Sequence, residues 1–244
     1  MFKGSGYSIT LLLLFIVAAL SGNKVFSPKP STTSIPKRQI SPYVELSHFD
    51  NYFRDASDSI FNCDWKLLAA IAFTESRFDS TARSEAGACG VMQVMPRTLR
   101  GAGVPDSLHM NPRHNIMAAT IMLKELNHIY RRIKNPDERL SFILASYNAG
   151  AGHINDAMRL AQKYGRNRYK WEHSVDTFLI LKGEPEYYTD SLCRNGSFKD
   201  WKQTLQFVQK VKRTWNKYCK HQERYNDSIY TVLQNDSTVE LMRI

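Results

Sequence analysis

The chain has 244 residues, 43% of them hydrophobic and 11% aromatic, which is enough for one folded domain with its own core and excludes a disordered chain. Its 33 Lys and Arg residues outnumber its 23 Asp and Glu residues and give a formal net charge of +10 at pH 7. Because the basic residues are scattered rather than gathered in a dense block, the charge fits an anionic envelope polymer or a membrane surface as well as it fits a nucleic acid.

The N-terminus indicates export. Lys3 precedes a short apolar run from Ile9 to Leu20, which is typical of a signal peptide and short for a membrane span. Residues 1–22 are therefore predicted to be a signal peptide or, if they are not cleaved, a membrane anchor. Residues 23–42 contain four prolines among Ser, Thr and Lys and are predicted to be an extended linker. An exported protein rarely meets nucleic acid, so no nucleic-acid partner is expected.

Residues 43–220 carry an almost wholly helical pattern, which predicts a mostly α domain. No stretch of alternating polar and apolar residues is long enough to predict a sheet of any size. Residues 221–244 are predicted to be a polar tail. The expected helices cover residues 65–78 with Asp64 as N-cap, the segment from Pro112 to Arg131-Arg132, and residues 137–147, 154–164 and 201–218.

A carboxylate interrupts the apolar face of the first of these helices. Leu67, Ile71, Glu75 and Phe78 recur at helical spacing, so Glu75 is predicted to lie on the buried stripe. Burial disfavours the charged form of a carboxyl and raises its pKa, which prepares the group to donate a proton near neutral pH. The alternative is a structural Glu whose charge is satisfied by an Arg or by backbone donors.

Two glycine-containing segments follow. In the stretch from Ser84 to Pro96, Gly87 and Gly90 allow a tight turn, and the polar Gln93 stands among apolar neighbours; a structural hairpin is the alternative interpretation. Further along, Tyr147 and Asn148 close a helix before a Gly-rich turn. That pair places a hydroxyl and an amide at a helix end, although Asn148 in a left-handed cap is an equally simple interpretation.

Four cysteines in an exported chain allow three complete pairings, and the sequence does not choose among them. The preferred bridge joins Cys193 to Cys219, because both lie in the C-terminal third. Cys89 fits a small buried hydrophobic residue, and Cys63 has no assigned partner. No Cys or His spacing is typical of a zinc site, so neither a metal nor another cofactor is expected.

Four motifs occur in a specific order: Glu75-Ser76-Arg77-Phe78, Gly87 to Gln93, Asn115-Ile116 and Tyr147 to Gly150. Together they resemble the soluble lytic transglycosylase (SLT domain) family, and most closely its membrane-bound MltF-type branch. The resemblance covers about residues 42–218. It implies a mostly α-helical, goose-lysozyme-like fold and cleavage of the glycan strands of bacterial peptidoglycan.

The resemblance also implies roles for individual residues. Glu75 takes the place of the single catalytic acid and base, and Met92 that of a Met beside the reacting sugar. Gln203 stands where the MltF-type pattern has a Glu that faces the site, so it keeps the size of that residue and loses its charge. Four polar residues match positions that line the sugar-binding groove: Ser84, Gln93, Tyr147 and Asn148.

Three functions remain open at this stage. The expected one is an exported lytic transglycosylase whose partner is peptidoglycan, with envelope or membrane association and with cell-wall machinery as a further candidate partner. The second is a lysozyme-type hydrolase with the same fold, which would use water. The third is a catalytically silent peptidoglycan-binding protein, which the neutral Gln203 would favour.

Overall fold

The computed structural model describes residues 37–58 and 64–242, and within them the prediction of a mostly helical domain is confirmed. The predicted signal peptide or anchor (1–22), most of the linker and Cys63 lie outside the described residues. A 3₁₀ turn (Asp106–Leu108) and a tight turn (Trp171–Val175) connect longer elements. The helices are α1 (Asp50–Ala56), α2 (Trp65–Ser76), α3 (Pro96–Gly101), α4 (Pro112–Ile129), α5 (Pro136–Ala149), α6 (Ala151–Lys163), α7 (Asp176–Leu181), α8 (Pro185–Tyr188) and α9 (Trp201–Asn235), and the strands are β1 (Arg38–Ile40) and β2 (Val239–Leu241).

The core forms around α2 and α5. Helix α2 is buried on nearly every side between α1 and α9, and α5 packs against α4, α6 and α9. Leu68, Ile71, Phe142 and Leu144 are fully buried where these helices meet. Each such side chain contributes about 1.5–3 kcal/mol by leaving water, so this packing fixes the positions at which α2 and α5 end.

Polar N-caps begin the helices that carry the predicted motifs. Asp64 caps α2 as predicted, and its carboxylate accepts a hydrogen bond from the backbone N–H of Lys66 at 3.1 Å. Asn111 and Asn135 cap α4 and α5 and are each followed by a Pro at the first helical position. Proline there has no N–H left unsatisfied and a φ already suited to the helix, so the starts of α4 and α5 are specified by both cap and proline, and that of α2 by its cap.

The last helix is much longer than predicted. It continues to Asn235 rather than ending at Tyr218, and residues 239–241 then pair in parallel with residues 38–40. The tail predicted for 221–244 and the end of the predicted linker are therefore both wrong. Gln222 explains the difference, because its buried amide accepts from the N–H of Val44 at 3.0 Å and donates to the carbonyl of Pro42 at 3.0 Å.

The preferred bridge between Cys193 and Cys219 is also wrong, since both side chains are free thiols. Cys193 donates to the carbonyl oxygen of Tyr187 at 3.3 Å, whereas Cys219 lies on α9 and contacts the carboxylate of Asp64 at 3.4 Å. The two thiols thus pack against different elements. Cys89 is buried, as expected of a small hydrophobic residue.

No helix within the described ranges is long and apolar enough to cross a membrane.

Candidate active site

Glu75 lies in the last turn of α2, which ends one residue further on. Arg77 and Phe78 both have positive φ, 55° and 67°, and this left-handed turn stops the helix. The preceding residues Ala69–Ala72 are completely buried, so the packing of the helix fixes the position of Glu75 relative to the core. A carboxylate is therefore presented by a rigid element rather than by a loop.

Burial raises the pKa of Glu75 to about 8. Among the described residues, Glu75 has neither a hydrogen-bond donor nor an ion-pair partner, so the structural alternative of an Arg or backbone partner is not what is observed. No neighbouring carboxylate contributes to the shift. Glu75 is thus an isolated acid that keeps its proton at neutral pH.

The glycine-containing loop packs beside Glu75. Cys89 forms isolated β-bridges with Arg83 and with Val94, so the segment does contain the tight hairpin-like turn that the glycines predicted. Gly90 has a φ of 76°, and a Cβ at this position would lie 2.5 Å from the side-chain nitrogen of Asn115. Only glycine therefore lets the loop approach this Asn.

The side chain of Asn115 fixes this loop through hydrogen bonds. It is completely buried on α4; its side-chain oxygen accepts from the N–H of Met92 at 2.8 Å, and its nitrogen donates to the carbonyls of Cys89 and His109. Ser76 adds a link to α2, since its hydroxyl donates to the carbonyl of Val91 at 2.8 Å. The motif Asn115-Ile116 pointed to this position, whereas nothing in the sequence indicated the role of Ser76.

Gln93 and Met92 occupy the loop beside the acid. Gln93 has a φ of 49° and donates from its side chain to the carbonyls of Ala82 and Gly90, at 3.1 and 2.9 Å, so its amide oxygen is left to accept a further hydrogen bond. Met92 is fully buried and presents no surface to a groove. Its position supports the site from beneath, in contrast to the contact with a sugar that the resemblance implied.

Tyr147 joins this loop to the end of α5. Its hydroxyl donates to the carbonyl of Met92 at 2.8 Å, and its ring stacks on Phe207 of α9 with centroids 6.3 Å apart. Burial, together with the nearby charge of Glu75, raises the pKa of Tyr147 well above its ordinary value. The hydroxyl proton is already donated to the carbonyl of Met92, so the phenolic oxygen can form a hydrogen bond with a ligand only as an acceptor.

Asn148 is helical rather than left-handed, and Gly150, with a φ of 84°, ends α5 instead. The left-handed cap considered from sequence is therefore wrong. The side-chain oxygen of Asn148 accepts from the hydroxyl of Thr204, a fully buried residue of α9, at 2.8 Å. Sequence reasoning did not identify this contact, because a buried Thr on a polar helix gives no pattern of its own.

Two predicted residues stand apart from this cluster. Ser84 is exposed, and its hydroxyl accepts from the N–H of Ala88 within its own turn. Gln203 is exposed on the first turn of α9, next to Thr204. The structure thus brings together Glu75, Met92, Gln93, Tyr147 and Asn148. It leaves two predicted residues on the surface, Ser84 before the glycine-containing loop and Gln203 on α9.

Other features of the described residues do not add to the site. No group of three or more His, Cys, Asp or Glu side chains in residues 37–58 and 64–242 could hold a metal ion. A cleft of about 530 Å³ opens between residues 41–54 and Tyr225, and none of the predicted site residues lines it. Of the predicted site residues, those that the structure brings together lie around Glu75 rather than at this cleft.

Comparison with known proteins agrees with the motifs. Residues 52–170 match the Transglycosylase SLT domain family. The chain is 35% identical over 149 residues to membrane-bound lytic murein transglycosylase F of Desulfosudis oleivorans, covering 61% of this chain and 32% of that protein. It is 36% identical over 168 residues to the protein of the same name from Cellvibrio japonicus, covering 68% of this chain and 32% of that protein. The chain thus spans about a third of the length of these relatives.

Among solved structures, the chain is similar to an inactive mutant of lytic transglycosylase Slt from Pseudomonas aeruginosa, with 23% identity, a TM-score of 0.47, and coverage of 72% of this chain and 24% of that one. The 70 kDa soluble lytic transglycosylase of Escherichia coli gives 20% identity, the same TM-score, and coverage of 71% and 24%. The resemblance that the motifs indicated is confirmed by the family match and by the curated relatives.

Proposed function

Because residues 52–170 belong to the transglycosylase SLT family, we propose that this protein is a lytic transglycosylase that cleaves the glycan strands of peptidoglycan. The observation that carries the proposal is Glu75, a half-buried acid whose pKa is raised to about 8 by desolvation alone. At pH 7 such a group is protonated in roughly nine molecules of ten. It can therefore donate a proton to a glycosidic oxygen without help from a second acid.

The first step breaks the β-1,4 bond between N-acetylmuramic acid and N-acetylglucosamine. Glu75 protonates the bridging oxygen, which leaves with the bond's electron pair as the hydroxyl of the departing sugar. Most glycosidases place a second carboxylate opposite the acid. No second carboxylate affects the pKa of Glu75, so the acetamido oxygen of the muramyl ring is the group proposed to stabilise the positive C1.

The second step closes a ring within the same sugar. The ionised Glu75 takes the proton of the C6 hydroxyl, and the oxygen of that hydroxyl attacks C1 to form a 1,6-anhydro sugar. Glu75 ends as it began, protonated, and no water is consumed. A hydroxyl held in the same ring has a high effective concentration, which favours it over water.

The surrounding residues are proposed to divide between contact and support. Gln93 and Asn148 are half-buried beside the cluster, and Ser84 and Gln203 are exposed, so these four can hydrogen-bond a sugar. Met92 is buried and holds Tyr147 through its carbonyl, so both are proposed to fix the shape of the site below the substrate.

We also propose that the protein is exported and works against the cell wall. The apolar run from Ile9 to Leu20 supports a signal peptide or anchor, and the Pro-rich stretch that begins at residue 23 supports a linker after it. The two relatives described above are named membrane-bound, which supports an envelope location. Peptidoglycan strands are the proposed partner, and the resemblance offers no reason to expect nucleic acid.

Mass spectrometry of purified peptidoglycan after incubation with the protein tests this function. The wild type should release muropeptides that end in 1,6-anhydro sugars, and Glu75→Gln should release none while it keeps the same circular dichroism spectrum. Hydrated ends, heavier by one water, would instead identify a lysozyme-type hydrolase. Binding of the wild type to peptidoglycan without release of fragments would identify the silent binding protein.

A further inference from the structure

One face of α9 carries five basic side chains that form no salt bridge with the part of the chain that the structure describes. The residues of this α9 basic face are Lys210, Arg213, Lys217, Lys220 and Arg224, and all five are exposed. None forms a salt bridge with any residue of the described ranges. By contrast, Lys212 points elsewhere on the same helix and pairs with Asp137 at 2.9 Å.

The spacing of these residues aligns them. Successive members are separated by three or four positions, so they form a single row about 21 Å long. The row lies on the far side of the helix from the buried Val208, Val211 and Gln222, which face the core. Like charges at such spacing repel one another, and an anionic surface laid along the row would relieve that repulsion.

The row ends where the N-terminal segment joins the domain. Gln222 binds Val44 and Pro42, and the hydroxyl of Tyr225 donates to the carbonyl of Ser41 at 3.1 Å. Lys220 and Arg224 therefore lie within one turn of the residues that receive this segment. The opposite end of α9, with Thr204 and Phe207, contacts the site around Glu75 through Asn148 and Tyr147.

The sequence before this junction contains the apolar run that ends at Leu20, followed by a linker. Whatever their conformation, the 14 residues 23–36 reach at most about 50 Å. An anchored N-terminus would thus keep the α9 basic face within reach of the membrane surface. Tyr230, Leu241 and Met242 expose apolar side chains at the same end of the molecule, where a lipid surface would cover them.

We propose that the α9 basic face binds a surface of anionic phospholipid headgroups. The proposal rests on the export and anchoring part of the proposed function, and it adds a second membrane contact to the N-terminal run. A single weak anchor becomes a stable attachment when a basic patch acts with it. The row leads away from Glu75, which favours the membrane over the glycan strand as its partner.

Flotation of the full-length protein with lipid vesicles tests the proposal. One set of vesicles contains phosphatidylcholine alone, and the other contains equal parts of phosphatidylcholine and phosphatidylglycerol. We expect at least tenfold tighter binding to the anionic vesicles, weakened by added salt because exposed charges are screened. The variant in which all five basic residues are replaced, Lys210→Gln, Arg213→Gln, Lys217→Gln, Lys220→Gln and Arg224→Gln, should lose this increment and bind both vesicles equally.

A matched variant removes the same number of charges elsewhere. Its five exposed substitutions are Lys124→Gln, Arg131→Gln, Arg132→Gln, Lys134→Gln and Arg166→Gln. This control should keep the anionic increment, and equal loss in both variants would overturn the proposal in favour of net charge. The proposal would also be overturned if the wild type bound both kinds of vesicle equally. It would likewise be overturned if the five-residue variant lost binding to purified peptidoglycan but kept its binding to anionic vesicles.

The test is separate from the catalytic proposal. Vesicle binding is measured without turnover, so Glu75→Gln should float as the wild type does even if the enzyme proves to have another activity. Circular dichroism of the five-residue variant should be unchanged, because Gln is nearly as good a helix former as Lys and Arg.

Discussion

At the scale of single residues, Glu75 is a site residue that lowers the stability of the folded protein. Its carboxyl is half-buried at the end of α2 without a hydrogen-bond partner among the described residues, and desolvation raises its pKa from 4.5 to about 8. The unfolded chain would release this proton near pH 4.5, whereas the folded protein retains it until about pH 8. The folded protein thus holds, at the end of this helix, a carboxyl whose charged form prefers water.

The stability consequence of Glu75 has a definite sign. Between about pH 4.5 and pH 8 the unfolded state binds fewer protons than the folded state, so the free energy of unfolding falls as pH rises. We predict that Glu75→Gln removes this dependence and makes the protein more stable than the wild type at pH 7, by an amount on the order of 3 kcal/mol.

Urea unfolding at a series of pH values checks this prediction. The gap between Glu75→Gln and the wild type should be small near pH 4 and grow up to pH 8. The control is Glu125→Gln on the exposed face of α4, which should show no such widening. A gap that is constant with pH would mean that Glu75 is not a desolvated acid in the folded protein.

At the scale of secondary-structure elements, the site is formed where α5 and α9 meet. The contact joins Asn148, near the end of α5, to Thr204, in the first turn of α9, by a hydrogen bond of 2.8 Å. Tyr147 and Phe207 stack beside it. The orientation of the Asn148 amide is therefore set by a helix that lies 56 residues further along the chain.

We predict that Thr204→Val raises KM for peptidoglycan fragments and lowers kcat/KM by about three- to tenfold. Val keeps the shape of Thr but removes the hydroxyl, and one hydrogen bond of this kind contributes about 0.5–1.5 kcal/mol. Because the amide would orient bound sugar in the ground state as well as in the transition state, kcat should change less than KM. Steady-state kinetics on soluble glycan fragments provide the measurement.

Thr204→Ser is the matched control for this contact. It retains the hydroxyl and loses only a methyl group, so its kcat/KM should stay close to that of the wild type. If Thr204→Ser were as impaired as Thr204→Val, buried packing rather than orientation of Asn148 would be responsible.

The elements also show which parts of the fold could be predicted. Asp64 as the cap of α2 and Pro112 as the start of α4 were predictable because capping and proline chemistry are local. The extension of α9 beyond Tyr218 was not, because it depends on Gln222 binding residues 42–44, which are 178–180 positions away. Strands of three residues, such as β1 and β2, are too short for a pattern of alternation.

The same division applies to the site. Glu75 was found because a charged residue on an apolar stripe is visible in the sequence itself. Tyr147 was identified as a groove residue through resemblance, but the commitment of its hydroxyl to Met92 depends on the packing of the loop against α5. Asn115 and Thr204 act through partners that are distant in sequence, so no local pattern could indicate what they hold in place.

At the scale of the whole molecule, the folded unit extends beyond the part that matches the SLT family. The match ends at residue 170, within a continuous core. Asp156 lies inside the match, and Lys182 lies beyond it; the two side chains are fully buried and 3.0 Å apart. Lys182 also contacts His153 and the carbonyl of Gly196, so the pair joins α6, α7 and the loop that leads into α9.

The carboxylate of Asp156 links α6 to the loop that leads into α9 through several hydrogen bonds. It accepts from the N–H groups of Arg194 and Asn195 at 3.0 and 2.9 Å, in addition to Lys182. Burial tends to raise the pKa of Asp156, but the hydrogen bonds from Lys182, Arg194 and Asn195 outweigh it and hold the pKa below its ordinary value. The stability it contributes is present above the unfolded pKa and lost as pH falls toward the folded one.

We predict that breaking this pair from either side destabilises the protein strongly. Asp156→Asn leaves the buried Lys182 without a carboxylate, and Lys182→Met leaves the buried Asp156 with only the half-buried Arg159 as a cationic partner. Asp156→Asn and Lys182→Met should each lower the free energy of unfolding by about 3–5 kcal/mol. The double variant should lose clearly less than the sum of the two, since it removes both charges together. Thermal and urea unfolding of the four proteins give the coupling directly, and additive losses would mean that the two residues act independently. Residues 194–196 lead into the first turn of α9, which bears Gln203 and Thr204. The single variants should therefore also lose activity at temperatures where they are still folded. Such a loss would show that the region beyond residue 170 helps to hold the site in place.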